Sequence, residues 1–124
     1  MTDLSDTVDT YLPGWNETDP QRRAGIIQSV WASDGRLIDP PLAAAGQDEI
    51  SNMVAALQSQ FPGHHFVRTS GIDEHHNHLR FAWDLVAADD STALSGIDVG
   101  ELADDGTISR ITGFFGGIPT KDAV

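Results

Sequence analysis

Near the start of the chain, apolar side chains recur at Leu4, Val8, Tyr11, Leu12 and Trp15, the three-and-four spacing of one helical face. Tyr11 therefore sits on the apolar stripe of a first helix. Asp19-Pro20 reads as an N-cap followed by a proline in the first turn. A second helix follows, with Ile26, Ile27, Val30 and Trp31 directed inward, and Asp34-Gly35 breaks it. Arg36-Leu37-Ile38-Asp39 is then a short strand, stopped by Pro40-Pro41. Gly46-Gln47-Asp48-Glu49 opens a third helix, its carboxylates placed where the helix dipole favours them. Ile50, Met53, Val54, Leu57 and Phe61 form its buried stripe, and Pro62-Gly63 ends it.

Beyond Gly63 the pattern changes to β. His65 to Ser70 is one strand. Leu79 to Val86 is a second, with Leu79, Phe81, Trp83 and Leu85 on one face and Arg80 and Asp84 on the other. Ala93 to Leu102 is a third, closed by an Asp104-Asp105-Gly106 turn, and Ile108 to Gly116 is the last. The tail from Ile118 to Val124 carries no pattern. The order α-α-β-α-β-β-β-β predicts an α+β fold in which three helices of the N-terminal half bury their stripes against one curved antiparallel sheet. Such a sheet, closed by helices at one end, encloses a conical hydrophobic pocket. Residues 1–124 read as a single domain, with no internal repeat or linker.

Composition narrows the partners. Asp and Glu number 19 against 7 Lys and Arg, a net charge of −12, which argues against nucleic acid or an anionic membrane surface. The chain has no cysteine, hence no disulfide framework and no thiol chemistry. Met1-Thr2-Asp3-Leu4-Ser5-Asp6 lacks the basic and apolar segments of a leader, and no stretch approaches the roughly 18 apolar residues of a membrane span. A cytoplasmic protein is the resulting expectation.

Within the strand from Ala93 to Leu102, Asp98 is a lone carboxyl in a largely buried run, and such a group must be paired, protonated or used. His75, His76 and His78 cluster at a turn, where strand alternation sends His75 and His76 apart, so that turn is read as solvated and no metal site is expected. No Gly-x-Ser-x-Gly, phosphate loop or dinucleotide fingerprint is present.

The element order, together with Tyr11-Leu12-Pro13-Gly14-Trp15-Asn16, Val30-Trp31-Ala32-Ser33-Asp34-Gly35, Ile38-Asp39-Pro40, Gly46-Gln47-Asp48-Glu49-Ile50, Asp105-Gly106-Thr107-Ile108 and Gly113-Phe114-Phe115-Gly116, resembles the NTF2-like superfamily, in particular its SnoaL-like and ketosteroid isomerase-like branches. The resemblance spans Leu4 to Gly116 and implies the cone fold and no cofactor. In ketosteroid isomerases the general base is an Asp that ends the first strand before a proline, the position of Asp39. The oxyanion donors are a Tyr on the first helix and a protonated Asp on the penultimate strand, the positions of Tyr11 and Asp98. The resemblance thus implies Asp39, Tyr11 and Asp98 as catalytic residues that move a proton next to a carbonyl. Asp39 should be the more solvated carboxyl and Asp98 the more enclosed. Gly96 and Gly100 replace larger family residues on either side of Asp98, which predicts extra room there and a wetter carboxyl. Trp15, Phe81, Trp83, Ile111, Phe115 and His65 are the expected ligand-binding wall.

Several alternatives stay open on the same residues. His65 with Asp39 resembles a dehydratase pair. Arg80 and Asp84 resemble part of an epoxide hydrolase set, although their strand face points away from Phe81 and Trp83. Polyketide cyclases of this fold carry acidic or His residues near the end of the last strand, where this chain has Gly113-Phe114-Phe115-Gly116. A non-catalytic binder of a small apolar ligand is a further reading. The expected partner is a small apolar carbonyl compound, polyketide-like or steroid-like. Val67, Ile97, Val99 and Phe114 give the sheet a second apolar face suited to a homodimer.

Overall fold

A computed structural model describes residues 4–123; Met1 to Asp3, which carry part of the N-terminal reading above, and Val124 lie outside the described residues. Three helices, α1 (Leu4–Asn16), α2 (Pro20–Val30) and α3 (Gln47–Gln60), pack on a seven-stranded sheet. Its strands are β1 (Trp31–Asp39), β2 (Leu42–Ala45), β3 (His65–Arg68), β4 (Asp73–His75), β5 (His78–Val86), β6 (Thr92–Leu102) and β7 (Ile108–Phe115). The order across the sheet is β2-β1-β7-β6-β5-β3, with β4 also pairing β5. The fold is α+β, as the order of elements predicts. The sheet is mixed and not wholly antiparallel, because β1 runs parallel to β7. No helix among the described residues is long and apolar enough to cross a membrane.

Local chemistry explains most boundaries. Asp19 caps α2 by accepting from the Arg22 N–H at 2.9 Å. At α3 the Glu49 carboxylate reaches back to the Ala45 N–H at 3.1 Å. The β4–β5 hairpin turns at His76 (φ 50) and Asn77 (φ 64), both in the left-handed region that a two-residue primed turn requires.

Three departures from the sequence reading have identifiable causes. Trp31 opens β1 and does not belong to α2. The ladder to β7 pairs Trp31 with Ile108 and resumes at Arg36 after a register shift, so Ser33-Asp34-Gly35 lies within an irregular strand and not at a helix end. The short strand expected at Arg36 is the second half of β1. β2 is apolar but alanine-rich and β4 is polar and exposed, so neither shows strand alternation. Both form because a neighbouring strand offers its open edge.

The concave face of the sheet meets the helices in one cluster of buried side chains. It joins Val8, Tyr11, Leu12 and Trp15 of α1 to Leu37 of β1, Leu79, Phe81, Trp83 and Leu85 of β5, and Ile111 of β7. Asn16, the last residue of α1, treats β3 as a strand would. Its side chain accepts from the Phe66 N–H at 2.7 Å and donates to the Phe66 carbonyl at 3.0 Å. That pair of hydrogen bonds fixes Phe66, and Phe66 in turn packs on Trp15 and Trp83.

Candidate active site

Strand register alone lines up the two carboxyls. Asp98 of β6 is paired with Phe81 of β5 on one side and with Gly113 of β7 on the other. In the parallel ladder Ile38 stands beside Thr112, which brings the next residue of β1, Asp39, level with Gly113. The row across the concave face is therefore Asp39, Gly113, Asp98, Phe81. Its second position has no side chain. A Cβ on Gly113 would lie 2.5 Å from Asp39 Oδ1 and 3.2 Å from Asp98 Oδ1. Both carboxylates thus lean into the space that glycine leaves.

Asp98 is 5% exposed, and each of its oxygens has one donor. The Tyr11 hydroxyl donates to Oδ2 at 2.9 Å and the Trp83 indole N–H donates to Oδ1 at 3.1 Å. Tyr11 is held edge-on between Trp31 and Phe81. Tyr11 and Asp98 are bonded to each other and do not present two free parallel donors. The wetter Asp98 expected from Gly96 and Gly100 is not found. A Cβ on Gly96 would collide with the Trp83 indole, and one on Gly100 would lie 2.7 Å from Ile111 Cδ1. Neighbouring side chains occupy the room that the two glycines leave.

Asp39 differs in every respect. It is half-buried, yet its Oδ1 is buried and has no hydrogen-bond partner among the described residues. Burial, and then the charge of Asp98, push its pKa up to about 7. Burial also raises Asp98, but hydrogen bonds from Tyr11 and Trp83 favour its charged form and hold it at about 6. Tyr11 is pushed well above the usual phenol value, first by burial and then by Asp98, so its hydroxyl keeps its proton. As expected, Asp39 is the more exposed carboxyl and Asp98 the more enclosed. The hydrogen bonds separate the two carboxyls: Asp98 accepts from two donors, which favour its charged form, and Asp39 Oδ1 accepts from none among the described residues.

The conical pocket is nearly filled. Leu12, Trp15, Asp39, Phe66, Trp83 and Asp98 line a half-open cleft of about 10 Å³, room for one water molecule. The rings of Trp15, Phe66 and Trp83 take up the cone, Phe66 tilted against Trp15 and edge-on to Trp83. Of the expected wall residues, Trp15 and Trp83 line this space, and Phe115 lies at its rim, 41% exposed and edge-on to Trp83 at 5.9 Å. Phe81 and Ile111 are core residues below it. His65 is not part of it. It is exposed, and its neighbour Phe66 is the β3 residue that faces inward, so alternation sends His65 to the opposite side, away from Asp39.

Arg80 and Asp84 also face away, Arg80 pairing with Asp73 at 2.9 Å and Asp84 accepting from the Ser95 hydroxyl at 2.8 Å. The three clustered histidines stay in or beside the exposed β4–β5 turn. No group of three or more His, Cys, Asp or Glu among the described residues is arranged to hold a metal ion. Two contributors escaped the sequence reading. Gly113 shows itself only as a glycine inside a strand, a sign of close approach. Phe66 shows itself only through its alternation with His65.

No family model matches the chain, and no curated protein matches it. Solved structures do. A SnoaL-like family protein from Agrobacterium tumefaciens, described as a candidate isomerase, superposes with a TM-score of 0.88 at 37% identity, covering 94% of this chain and 100% of that one. A candidate SnoaL-like polyketide cyclase from Jannaschia sp. gives a TM-score of 0.69 at 15% identity, over 93% of this chain and 89% of the other. A protein of ketosteroid isomerase-like fold from Catenulispora acidiphila, in complex with trimethylamine, gives 0.69 at 14% identity, over 87% of this chain and 83% of that one. The last two share the fold alone. The Agrobacterium protein shares sequence over nearly the whole chain, and this chain accordingly belongs to the SnoaL-like family of NTF2-like proteins.

Proposed function

We propose that the chain is a cofactor-independent acid–base enzyme that moves a proton next to the carbonyl of a small apolar compound, with Asp39 carrying the proton. The observation behind this is Asp39 Oδ1, a buried carboxyl oxygen without a partner, on the same row as the anchored Asp98. A base that serves near neutrality needs a pKa close to the working pH. Burial and the nearby Asp98 raise Asp39 to about 7, where it takes a proton from one carbon and returns it to another. Tyr11 keeps its proton and gives it to Asp98 Oδ2 in a hydrogen bond, so it serves charge that develops on the substrate oxygen only by turning its hydroxyl from Asp98 to the substrate. The space beside Asp39 has room for one water molecule, so a ketone reaches Asp39 where the partly exposed Phe66 and Phe115 move aside.

The test is absorbance at the conjugated-enone band after mixing the protein with a small cyclic β,γ-unsaturated ketone or with a β,γ-unsaturated ketosteroid. Turnover in wild type should fall by about 10²- to 10⁴-fold in Asp39→Asn. Equal rates in the two proteins would sink the reading. A non-catalytic binder of a compact ligand is the second reading, supported by the trimethylamine held by the Catenulispora protein. No turnover with either ketone, together with saturable binding of a small probe, would favour it. The exposed Val99 and Phe114 support a homodimer through the outer face of the sheet, and a concentration-independent monomer mass in sedimentation would remove it.

A further inference from the structure

Trp83 was expected only to line the pocket, but its surroundings give it a more specific task. Three neighbours fix its ring. Gly96, its register partner on β6, lies against the indole so closely that a Cβ would collide with it. Phe66 of β3 meets the ring edge-on at 5.2 Å and 77°, and Phe115 of β7 does so at 5.9 Å and 89°. The side chain is 3% exposed, and its one polar atom is spent on Asp98 Oδ1. An indole N–H can only donate, so this contact always favours the charged carboxylate. A hydroxyl in its place, such as that of Tyr11, could turn and accept from a protonated Asp98.

We propose that Trp83 is a positioning residue whose clamped indole N–H holds Asp98 as the fixed anion of the row, so that Asp39 is the carboxyl that carries the proton. The inference rests on the acid–base reading given above. The groups facing Asp98 are Tyr11 from α1, Asp39 from β1, Trp83 and Phe81 from β5, and Gly113 from β7. Among these, Asp39 is the one other group whose charge changes near neutrality. An anion at Asp98 makes Asp39 a stronger base toward a weakly acidic carbon. Gly96 is then an element of the device, because any larger residue would displace the indole.

The experiment is a carboxyl-carbon NMR titration of wild type and Trp83→Phe, in which phenylalanine keeps an aromatic ring and removes the donor, with the indole N–H signals followed in parallel. In wild type, Asp98 should titrate before Asp39, and the Trp83 indole proton should move with Asp98. In Trp83→Phe the Asp98 midpoint should rise and the Asp39 midpoint fall, each by about one pH unit, and the acid limb of kcat/KM should follow Asp39 downward. Unchanged midpoints in the variant would overturn the inference. A Trp83 indole signal that does not move between pH 4 and 9 would also overturn it, and that second measurement decides the matter if the variant fails to fold. Shifted midpoints without turnover of any ketone would uphold the positioning role and remove the acid–base reading. Asp39-dependent turnover with unshifted midpoints would do the reverse.

Discussion

Two places among the described residues bury charge, and they do so in opposite ways. Arg23 of α2 is 5% exposed, the same as Asp98. Its guanidinium donates to the carbonyls of Glu17, Thr18 and Ser51 and to the Gln58 amide oxygen, at 3.2 to 3.4 Å. Each of these acceptors is uncharged, and together they tie the α1–α2 connection to α3. Gln58 extends the tie with its own bonds to the carbonyls of Trp15 and Glu17. The Asp39–Asp98 row is left incomplete: Asp98 is fully engaged and Asp39 is not. A buried charge with four bonds made to neighbouring elements serves the fold. A buried carboxyl oxygen with no partner is destabilising as it stands, and it gains its partner when something else binds.

The difference can be broken from either side. The largest effect should come from Asp39→Asn, which removes turnover while leaving the chain folded, as measured by the enone assay beside a thermal melt. Arg23→Met should do the converse. It takes a donor from the Thr18 and Ser51 carbonyls and from the Gln58 amide oxygen, while the Glu17 carbonyl keeps its bond from Gln58. It should lower stability by about 2–4 kcal/mol in denaturant melts, while turnover per folded molecule stays unchanged. If Arg23→Met removed activity without loss of stability, the contrast between the two sites would be wrong. Gly113→Ala comes next. The added methyl enters the space that both carboxylates use and should displace Asp39, lowering kcat/KM at least tenfold or so with little change in melting temperature.

The smallest effect is the dependence of stability on pH. Both carboxyls are raised in the folded state, to about 7 and about 6, above an ordinary value of 3.8. The folded chain therefore binds more protons than the unfolded chain between these values. The stabilisation from these groups is fully present below pH 3.8 and is lost as pH rises through 6 and 7. Melting temperature should accordingly fall between pH 5 and 8. Asp39→Asn should flatten that fall and raise stability at pH 8 by about 1–2 kcal/mol, a figure kept low because Asp39 is partly exposed. A variant as pH-dependent as wild type would show that Asp39 is not a raised carboxyl.

What the residues alone determined is substantial. The three helices follow from apolar spacing and caps, because a helix buries one stripe and that stripe is written locally. The inward face of β5 follows from the alternation of Leu79, Phe81, Trp83 and Leu85. Tyr11, Asp39 and Asp98 could be named because each is a polar group at an otherwise apolar or terminal position, in an order that matches a known pattern. Other features were decided only by the tertiary structure. β2 and β4 exist because β1 and β5 offer them an edge. His65 falls on the wrong side of β3 for a partnership with Asp39, because Asn16 and the aromatic cluster claim Phe66. The surroundings of the two carboxyls depend on a donor fifteen residues from Asp98 in sequence and on a glycine set between them by strand register. A pKa is set by what surrounds a group within a few ångströms, and for Asp39 and Asp98 those surroundings come from α1, β5 and β7, which meet only when the sheet has formed.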